Sequence, residues 1–219
     1  MTYKENFIKF MADCGVLTFG DFTLKSGRKS PYFLNAGRFN TGAALTRLGE
    51  FYAECFVENR IEAETLFGPA YKGIPLAVST VVALKNKFNI DVNYCFDRKE
   101  EKDHGEGGWF VGKQLTAGEK IAIIDDVCTS GKALREVLPK IKNAADVNVV
   151  AFMVCADRME KTLDGELSAV QEVEREFGFR VYAIVNIMDI INALEKGIIP
   201  GSEYVPAMKK YIAEYGAKY

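Results

Sequence analysis

Residues 121–133 read IAIIDDVCTSGKA, a run of four apolar residues that ends in two aspartates and a Thr-Ser-Gly turn. An uninterrupted apolar run rich in β-branched residues is typical of a parallel strand that is covered on both faces. Two adjacent carboxylates directly after such a strand must line a cleft, because unpaired charge is too costly in the core. Asp125 and Asp126 are therefore predicted to accept hydrogen bonds from sugar hydroxyls or to hold a divalent cation.

The turn after the aspartates is predicted to bind one phosphate group. It opens a helix, so free backbone N–H groups and the hydroxyls of Thr129 and Ser130 converge there. Sugar-hydroxyl acceptors beside a phosphate site describe a site for ribose 5-phosphate. Two other families are excluded. A phosphatase of the haloacid dehalogenase type needs D-x-D-x-T, whereas this segment has D-D-x-x-T, and a receiver domain carries its acidic pair near the N-terminus. The alternative is a plain strand–turn–helix with two solvated aspartates.

The rest of the chain alternates short apolar runs with amphipathic segments. The other predicted strands are residues 65–68, 92–96, 147–155 and 181–187, and the most apolar predicted helix is 73–87. This alternation predicts an α/β fold with a doubly wound, mainly parallel sheet flanked by helices. Residues 1–40 break the alternation, with a short helix at 3–14 and extended segments at 22–24 and 31–34. They are expected to form a hood over one end of the sheet, within a single domain of residues 1–219.

Composition excludes several classes of function. The 219 residues carry 28 Lys and Arg against 30 Asp and Glu, so no excess positive charge indicates a nucleic-acid or membrane partner. The longest uncharged stretch, residues 73–84, has 12 residues and is too short to span a bilayer. The N-terminus has no apolar signal-peptide core, so a cytoplasmic location is predicted. Five widely spaced cysteines and one histidine argue against zinc sites, disulfides and His-paired metal motifs.

Two further segments are expected at the same edge of the sheet, because each follows a predicted strand. Residues 97–108, DRKEEKDHGEGG, are predicted to form a glycine-hinged lid whose cations close over a polyanion. Residues 68–73, GPAYKG, can offer backbone N–H groups and Lys72 to a second phosphate group. Residues 107–114 nearly match a P-loop, but Gln114 replaces the required hydroxyl and the segment follows a charged loop rather than a strand.

Together these segments resemble the orotate phosphoribosyltransferase family, in the same order and over essentially the whole chain. The resemblance rests on TLKSGRKSPYFLNAGRFNTG (23–42), FGPAYKGIPLA (67–77), FDRKEEKDHGEGG (96–108) and the turn at 125–133. The charged glycine motif is specific for that family, whereas the Asp-Asp signature marks the wider type I phosphoribosyltransferases. Cys128, Ser130 and Lys132 stand where many members have Ile, Ala and Thr, and Leu34 where some have Phe.

The resemblance implies that orotate displaces diphosphate from 5-phosphoribosyl 1-diphosphate, giving orotidine 5′-monophosphate for pyrimidine synthesis. It implies that Asp125 and Asp126 bind the ribose hydroxyls. It assigns the 5-phosphate to Thr129, Ser130, Gly131, Lys132 and Ala133, and it includes Val127 and Cys128 among the substrate-binding residues. It assigns the diphosphate to Tyr71, Lys72, Arg98, Lys99, Lys102 and His104. It assigns orotate and the positioning of the donor to Lys25, Phe33, Leu34, Thr129 and Arg158.

The same resemblance implies that Lys102, Asp103 and His104 are the catalytic group, with Lys102 as the main electrostatic stabiliser or proton donor. It implies Mg²⁺ as the cofactor, held mainly by the donor and near Asp125 and Asp126. It further implies a homodimer in which the lid of one subunit reaches its neighbour's site, and a cis peptide bond between Ala70 and Tyr71. Two alternatives stay open: transfer to another base, and a non-catalytic regulator that senses the donor.

Overall fold

The computed structural model describes residues 1–102, 108–128 and 131–219, with the side chains of all these residues except Glu101 and Lys102. The strands are β1 (Leu17–Thr23), β2 (Lys29–Leu34), β3 (Thr65–Phe67), β4 (Asn93–Lys102), β5 (Gly108–Gly112), β6 (Lys120–Ile124), β7 (Asn148–Asp157) and β8 (Arg180–Asn186). The α-helices are α1 (Tyr3–Asp13), α2 (Gly42–Glu58), α3 (Gly73–Phe88), α4 (Lys132–Ala144), α5 (Ala169–Phe177), α6 (Ile187–Glu195) and α7 (Val205–Tyr215).

The centre of the fold is a six-stranded sheet with the strand order β5-β4-β3-β6-β7-β8. Neighbouring strands from β4 to β8 run parallel, and only the edge strand β5 is antiparallel to its neighbour β4. The predicted α/β fold with a mainly parallel sheet is therefore confirmed. Because the parallel strands share one direction, their carboxyl ends lie at one edge, and the predicted site segments follow those ends.

Both faces of the sheet are buried, which explains the continuous apolar runs. Leu66, Ala122 and Met153 contribute to a core shared with helices α1, α2, α3, α6 and α7. Their chain neighbours Phe67, Ile123 and Val154 point the other way, into a second core with α4 and α5. Successive side chains of a strand face opposite sides, so a strand covered on both sides needs apolar residues at every position.

At the charged segment, one prediction is wrong and one strand was not predicted. Residues 97–102 are the second half of β4 rather than a loop, and residues 108–112 form β5, which the sequence interpretation missed. The two strands form an antiparallel hairpin in which Asp97 lies opposite Phe110, with an irregularity beyond that pair. An edge hairpin leaves many side chains in solvent, so charged residues are compatible with strand pairing there. Because residues 108–112 are themselves a strand, they cannot form a P-loop.

The helices agree with the apolar stripes more closely than the strands do with theirs. Thr41 caps α2, its side chain accepting a hydrogen bond from the N–H of Ala44 at 3.1 Å. Pro139 lies inside α4. Helices α6 and α7 were not predicted, because the last predicted element was the strand that ends at residue 187. Within the described ranges, no helix is long and apolar enough to cross a membrane.

The N-terminal segment consists of α1 and the antiparallel β1–β2 hairpin, whose strands are longer than the two predicted extended segments. The hairpin packs on the chain that follows β7. Arg28 Nη1 donates to the carbonyl of Lys161 at 2.7 Å, and the Tyr32 hydroxyl donates to Glu160 at 2.8 Å. The ring of Tyr32 also meets that of Tyr211 on α7 edge to face, with centroids 6.0 Å apart. The hairpin is thus attached at the carboxyl edge of the sheet.

Candidate active site

The two aspartates after β6 are held by their own backbone and by a lysine. Asp125 Oδ1 accepts the N–H of Asp126 at 2.8 Å, and Asp126 Oδ1 accepts the N–H of Val127 at 2.9 Å. Lys72 Nζ lies 2.5 Å from Asp126 Oδ2, so the predicted ribose site and the predicted diphosphate turn are in direct contact. The sequence separates these two residues by 54 positions.

The electrostatics of the pair follow from burial and proximity. Burial raises the pKa of Asp125 to about 6, and the neighbouring Asp126 carboxylate acts in the same direction. The hydrogen bond to Asp126 raises the pKa of Lys72, so this lysine is protonated at neutral pH. A positively charged Lys72 compensates the acidic pair until a ligand brings other partners.

Two buried residues that the sequence analysis did not identify, Tyr52 and Cys155, lie behind the backbone of the acidic pair. The hydroxyl of Tyr52, on α2, donates to the carbonyl of Asp125 at 2.8 Å and lies 3.0 Å from Cys155 Sγ. Burial raises the pKa of Cys155 to about 12 and that of Tyr52 well above its ordinary value, so both groups are uncharged. A fully buried tyrosine in an apolar helix stripe carries no signal in sequence that distinguishes it from core.

The turn between β3 and α3 is compact because two glycines face each other. A Cβ on Gly68 would lie 2.2 Å from the Gly73 carbonyl oxygen, and a Cβ on Gly73 would lie 2.8 Å from the carbonyl oxygen of Ile124. Only glycine permits this approach of the turn to the end of β6. The Ala70–Tyr71 peptide bond is cis, as the resemblance implied. This close approach is what brings Lys72 to Asp126.

The charged hairpin contacts the same turn. Asp97 is 6% exposed, and its Oδ1 accepts the N–H of Ala70 at 2.7 Å while its Oδ2 accepts from Lys140 Nζ at 3.1 Å. Lys99 Nζ lies 5.2 Å from the ring centroid of Tyr71. Arg98 instead reaches the carbonyl of Gly108 within the hairpin, at 3.2 Å. Asp103, His104 and the side chain of Lys102 lie outside the described residues.

The predicted phosphate turn leads into α4. Gly131, immediately before the helix, has a φ of +67°, and a Cβ there would lie 2.9 Å from Val173 Cγ2. Having no side chain, Gly131 leaves the first N–H groups of α4 without a side-chain cap of its own. Lys132 is exposed and lies 3.7 Å from Glu136, and burial raises the pKa of Cys128 to about 12. Thr129 and Ser130 lie outside the described residues.

The predicted orotate-binding residues are divided between the hairpin and the end of β7. Arg158 follows β7, and its guanidinium lies 4.7 Å above the ring of Tyr32 on β2. Phe33, 37% exposed, stacks on Phe22 with centroids 5.5 Å apart. Leu34 ends β2, whereas Lys25 occupies the exposed β1–β2 turn. The structure thus joins Arg158 to the strand that carries Phe33 and Leu34, and leaves Lys25 in solvent.

A cleft of about 370 Å³ opens beside the acidic pair, with Lys72 and Asp126 on one wall and residues 36–42 on the other. Among the residues that the structure describes, no group of three His, Cys, Asp or Glu side chains is arranged to hold a metal ion. Asp125 and Asp126 nonetheless supply carboxylate oxygens, the donor type that Mg²⁺ prefers, and Mg²⁺ is commonly held by one or two carboxylates together with substrate phosphates. The donor set therefore fits Mg²⁺ bound jointly with a phosphorylated ligand.

Comparison with known proteins agrees with this geometry. Residues 38–182 match the phosphoribosyl transferase domain family. The orotate phosphoribosyltransferase of Vibrio parahaemolyticus is 54% identical over 98% of both chains, and that of Bifidobacterium animalis is 51% identical over 96% of both. The crystal structure of the Francisella tularensis orotate phosphoribosyltransferase, 40% identical, superposes with a TM-score of 0.87 over 97% of this chain and 100% of that one. With relatives 51–54% identical over nearly its whole length, this chain belongs to the orotate phosphoribosyltransferase family.

Proposed function

We propose that this chain transfers the 5-phosphoribosyl group from 5-phosphoribosyl 1-diphosphate to orotate, releasing diphosphate and orotidine 5′-monophosphate for pyrimidine synthesis. The observation that carries the proposal is the 2.5 Å contact between Lys72 and Asp126. It places a cation suited to diphosphate beside a carboxylate suited to ribose hydroxyls, so that one molecule of phosphoribosyl diphosphate could reach both. The family membership of the chain supports the same reaction.

Each part of the donor has a proposed partner. Asp125 and Asp126 accept the ribose hydroxyls, and the 5-phosphate lies at the start of α4, where N–H groups and the positive end of the helix dipole favour an anion. The diphosphate displaces Asp126 from Lys72 in part and is enclosed by cations of the hairpin and lid. These proposed partners are Lys72, Arg98, Lys99, Lys102 and His104, with Tyr71 beside them.

The chemistry follows from where charge develops. Breaking the anomeric C–O bond builds positive charge on the ribose and negative charge on the departing diphosphate. Lys102, with Asp103 and His104 beside it, is the proposed catalytic group that stabilises the leaving diphosphate or protonates it. Asp125 and Asp126 would hold Mg²⁺ together with the donor, and the ion would supply positive charge that stabilises the departing diphosphate. Closing the lid excludes water, so each contact between a cation and phosphate strengthens.

The base site lies between the hood and the end of β7. We propose residues 1–40 as the hood, with Lys25, Phe33 and Leu34 lining the base and Arg158 binding the orotate carboxylate. The stacked rings of Phe22 and Phe33 offer an apolar surface for a planar base. A guanidinium is the natural partner of a carboxylate, since its N–H groups match the two oxygens.

We also propose a homodimer in which the lid of one subunit reaches the site of the other. Helices α2 and α3 expose an apolar groove of about 890 Å³, and Val78 and Val82 on α3 are 37% and 53% exposed. This groove begins at Ile74, two residues beyond Lys72, so a second copy seated on it lies beside the diphosphate turn. A two-fold axis there produces two equivalent shared sites. A cytoplasmic location completes the proposal, consistent with five free thiols.

Donor binding measured by calorimetry tests the site assignment. In the presence of Mg²⁺ we expect the wild-type chain to bind 5-phosphoribosyl 1-diphosphate, and Asp126→Asn to bind it at least about tenfold more weakly. Asp164→Asn, which removes an exposed carboxylate away from the acidic pair, is the matched control and should bind normally. Wild-type protein that fails to bind the donor would overturn the proposal, and unchanged affinity in Asp126→Asn would remove Asp126 from the ribose site.

A further inference from the structure

Glu160 connects Arg158 to the N-terminal hairpin. Its Oε1 accepts hydrogen bonds from Arg158 Nε at 2.9 Å, from Arg158 Nη2 at 2.6 Å and from the Tyr32 hydroxyl at 2.8 Å. Its Oε2 lies 3.8 Å from Arg28 Nη1. The Glu160 side chain is only 11% exposed, so these charge-assisted contacts are poorly screened by water. No sequence motif singled out Glu160.

This contact fixes how the Arg158 guanidinium can meet a second carboxylate. A guanidinium presents two hydrogen-bonding edges, one formed by Nε and Nη2 and one formed by Nη1 and Nη2. Glu160 occupies the first edge, and the ring of Tyr32, 4.7 Å from the guanidinium carbon, supports the face. With one edge and one face held, the plane and direction of the second edge are determined.

The charge balance also favours an anionic ligand. Arg28 and Arg158 share the single carboxylate of Glu160, so these three side chains carry one net positive charge. The nearby acid Asp157 is directed elsewhere: its Oδ2 accepts the Tyr219 hydroxyl and its Oδ1 accepts the N–H of Met159. A buried site with one uncompensated positive charge discriminates between a base that bears a carboxylate and one that lacks it.

We propose that Glu160 is a positioning residue for the acceptor base, which aims Arg158 at the substrate carboxylate and so sets the preference for orotate over uracil. The inference rests on the proposed function, because it assigns Arg158 to the orotate carboxylate. It extends that function by naming the residue that orients Arg158 and by linking the hairpin residues Tyr32 and Arg28 to base selection. The donor site is not involved, since none of its proposed residues contacts Glu160 among the described contacts.

The test compares Glu160→Gln and Glu160→Leu with wild type by steady-state kinetics, using orotate and uracil as acceptors. Glu160→Leu should raise the KM for orotate about tenfold, while the KM for the donor changes less than about twofold. Glu160→Gln keeps an oxygen acceptor and should recover part of the loss, with a rise of about threefold. The ratio of kcat/KM for orotate to that for uracil should fall in parallel.

Glu172→Gln is the matched control, because Glu172 is a neighbouring acid that accepts from Thr162 Oγ1 at 2.7 Å. Its orotate KM should equal that of wild type. An orotate KM that stays unchanged in both Glu160 variants overturns the inference, as does an equal rise in the KM of both substrates, which a general structural role would produce. If Glu160→Leu does not fold, the Gln variant decides alone. If wild-type protein does not use orotate, the proposed function itself is wrong. That result is distinct from unchanged kinetics in the Glu160 variants, which overturns only the inference about Glu160.

Discussion

The Asp97 carboxylate accepts the backbone N–H of Ala70 at 2.7 Å, and this contact joins the base of the charged hairpin to the turn that carries Lys72. The second oxygen of Asp97 is held by Lys140 on α4, whose ammonium group also lies 5.0 Å from the ring centroid of Trp109. One buried side chain therefore connects the hairpin, the turn and α4. The described hydrogen bonds of Asp97 go to Ala70 and Lys140, so we expect it to serve position rather than chemistry.

Replacing Asp97 tests this coupling. Asp97→Ala removes the acceptor for the Ala70 N–H and leaves Lys140 without its carboxylate, so we expect the KM for the donor to rise by about tenfold or more. Asp97→Asn keeps an oxygen acceptor and should retain most of the affinity. Steady-state kinetics with varied donor give the comparison. Equal defects in the two variants would show that the acceptor to Ala70 does not matter.

The raised pKa of Asp125 predicts a pH-dependent contribution to stability. Burial favours its protonated form in the folded state, so the folded chain binds more protons than the unfolded chain between about pH 4 and pH 6. The contribution of Asp125 is therefore fully present below about pH 4 and is lost as the pH rises through about 6.

Urea unfolding of wild type and Asp125→Asn at several pH values measures this contribution. The unfolding free energy of wild type minus that of the variant should decrease between pH 4 and pH 7, by an amount on the order of 2 kcal/mol. Taking the difference removes the effect of the other acids. A difference that is constant, or that increases with pH, would contradict the assigned cause.

Tyr52 is expected to stabilise the backbone of the acidic pair. Tyr52→Phe leaves the Asp125 carbonyl without the hydroxyl that donates to it, and we expect the free energy of unfolding to fall by about 1–2 kcal/mol. Tyr94→Phe, at a tyrosine that is 40% exposed, is the control and should change stability by less than about 0.5 kcal/mol. Denaturant titration of both variants measures the free energy of unfolding. Equally small decreases in the two variants would show that Tyr52 does not have this role.

Much of the fold could be predicted because its core strands are covered on both faces. The apolar run at residues 121–124 predicts a buried strand, and the aspartates after it predict a cleft, since neither an exposed apolar strand nor unpaired charge in the core is stable. The β4–β5 hairpin could not be predicted in this way. Every residue from 97 to 102 is charged, and residues 108–112 are a short run bounded by glycines, so their strand structure comes from backbone pairing at the sheet edge.

The site was predictable to the extent that its residues lie in contiguous motifs. The contact between Lys72 and Asp126 follows from two turns at one sheet edge, so a fold prediction already places the two residues close together. Glu160 and Tyr52 were missed because their roles depend on contacts between distant segments. Tyr32 and Glu160 are 128 residues apart, and Tyr52 and Cys155 are 103 apart. No local pattern encodes such pairs.

Mixed dimers test the shared site. Lys102→Ala and Asp125→Asn are each expected to be nearly inactive alone, and the two proteins are then unfolded and refolded together. If the lid acts on the neighbouring subunit, a mixed dimer contains one site with both residues intact. Random pairing makes about half of the dimers mixed, so roughly a quarter of wild-type activity should return. Mixed dimers verified by differential tags that show no recovery would exclude the shared site.

The most direct measurement is the loss of orotate absorbance when wild-type protein, 5-phosphoribosyl 1-diphosphate and Mg²⁺ are combined. The account predicts that orotate is consumed, that consumption needs both the donor and the metal, and that uracil and adenine are poor acceptors. Consumption of another base in preference to orotate would contradict the assigned substrate. Donor binding without consumption of any base would contradict catalysis and indicate a regulator on the same fold.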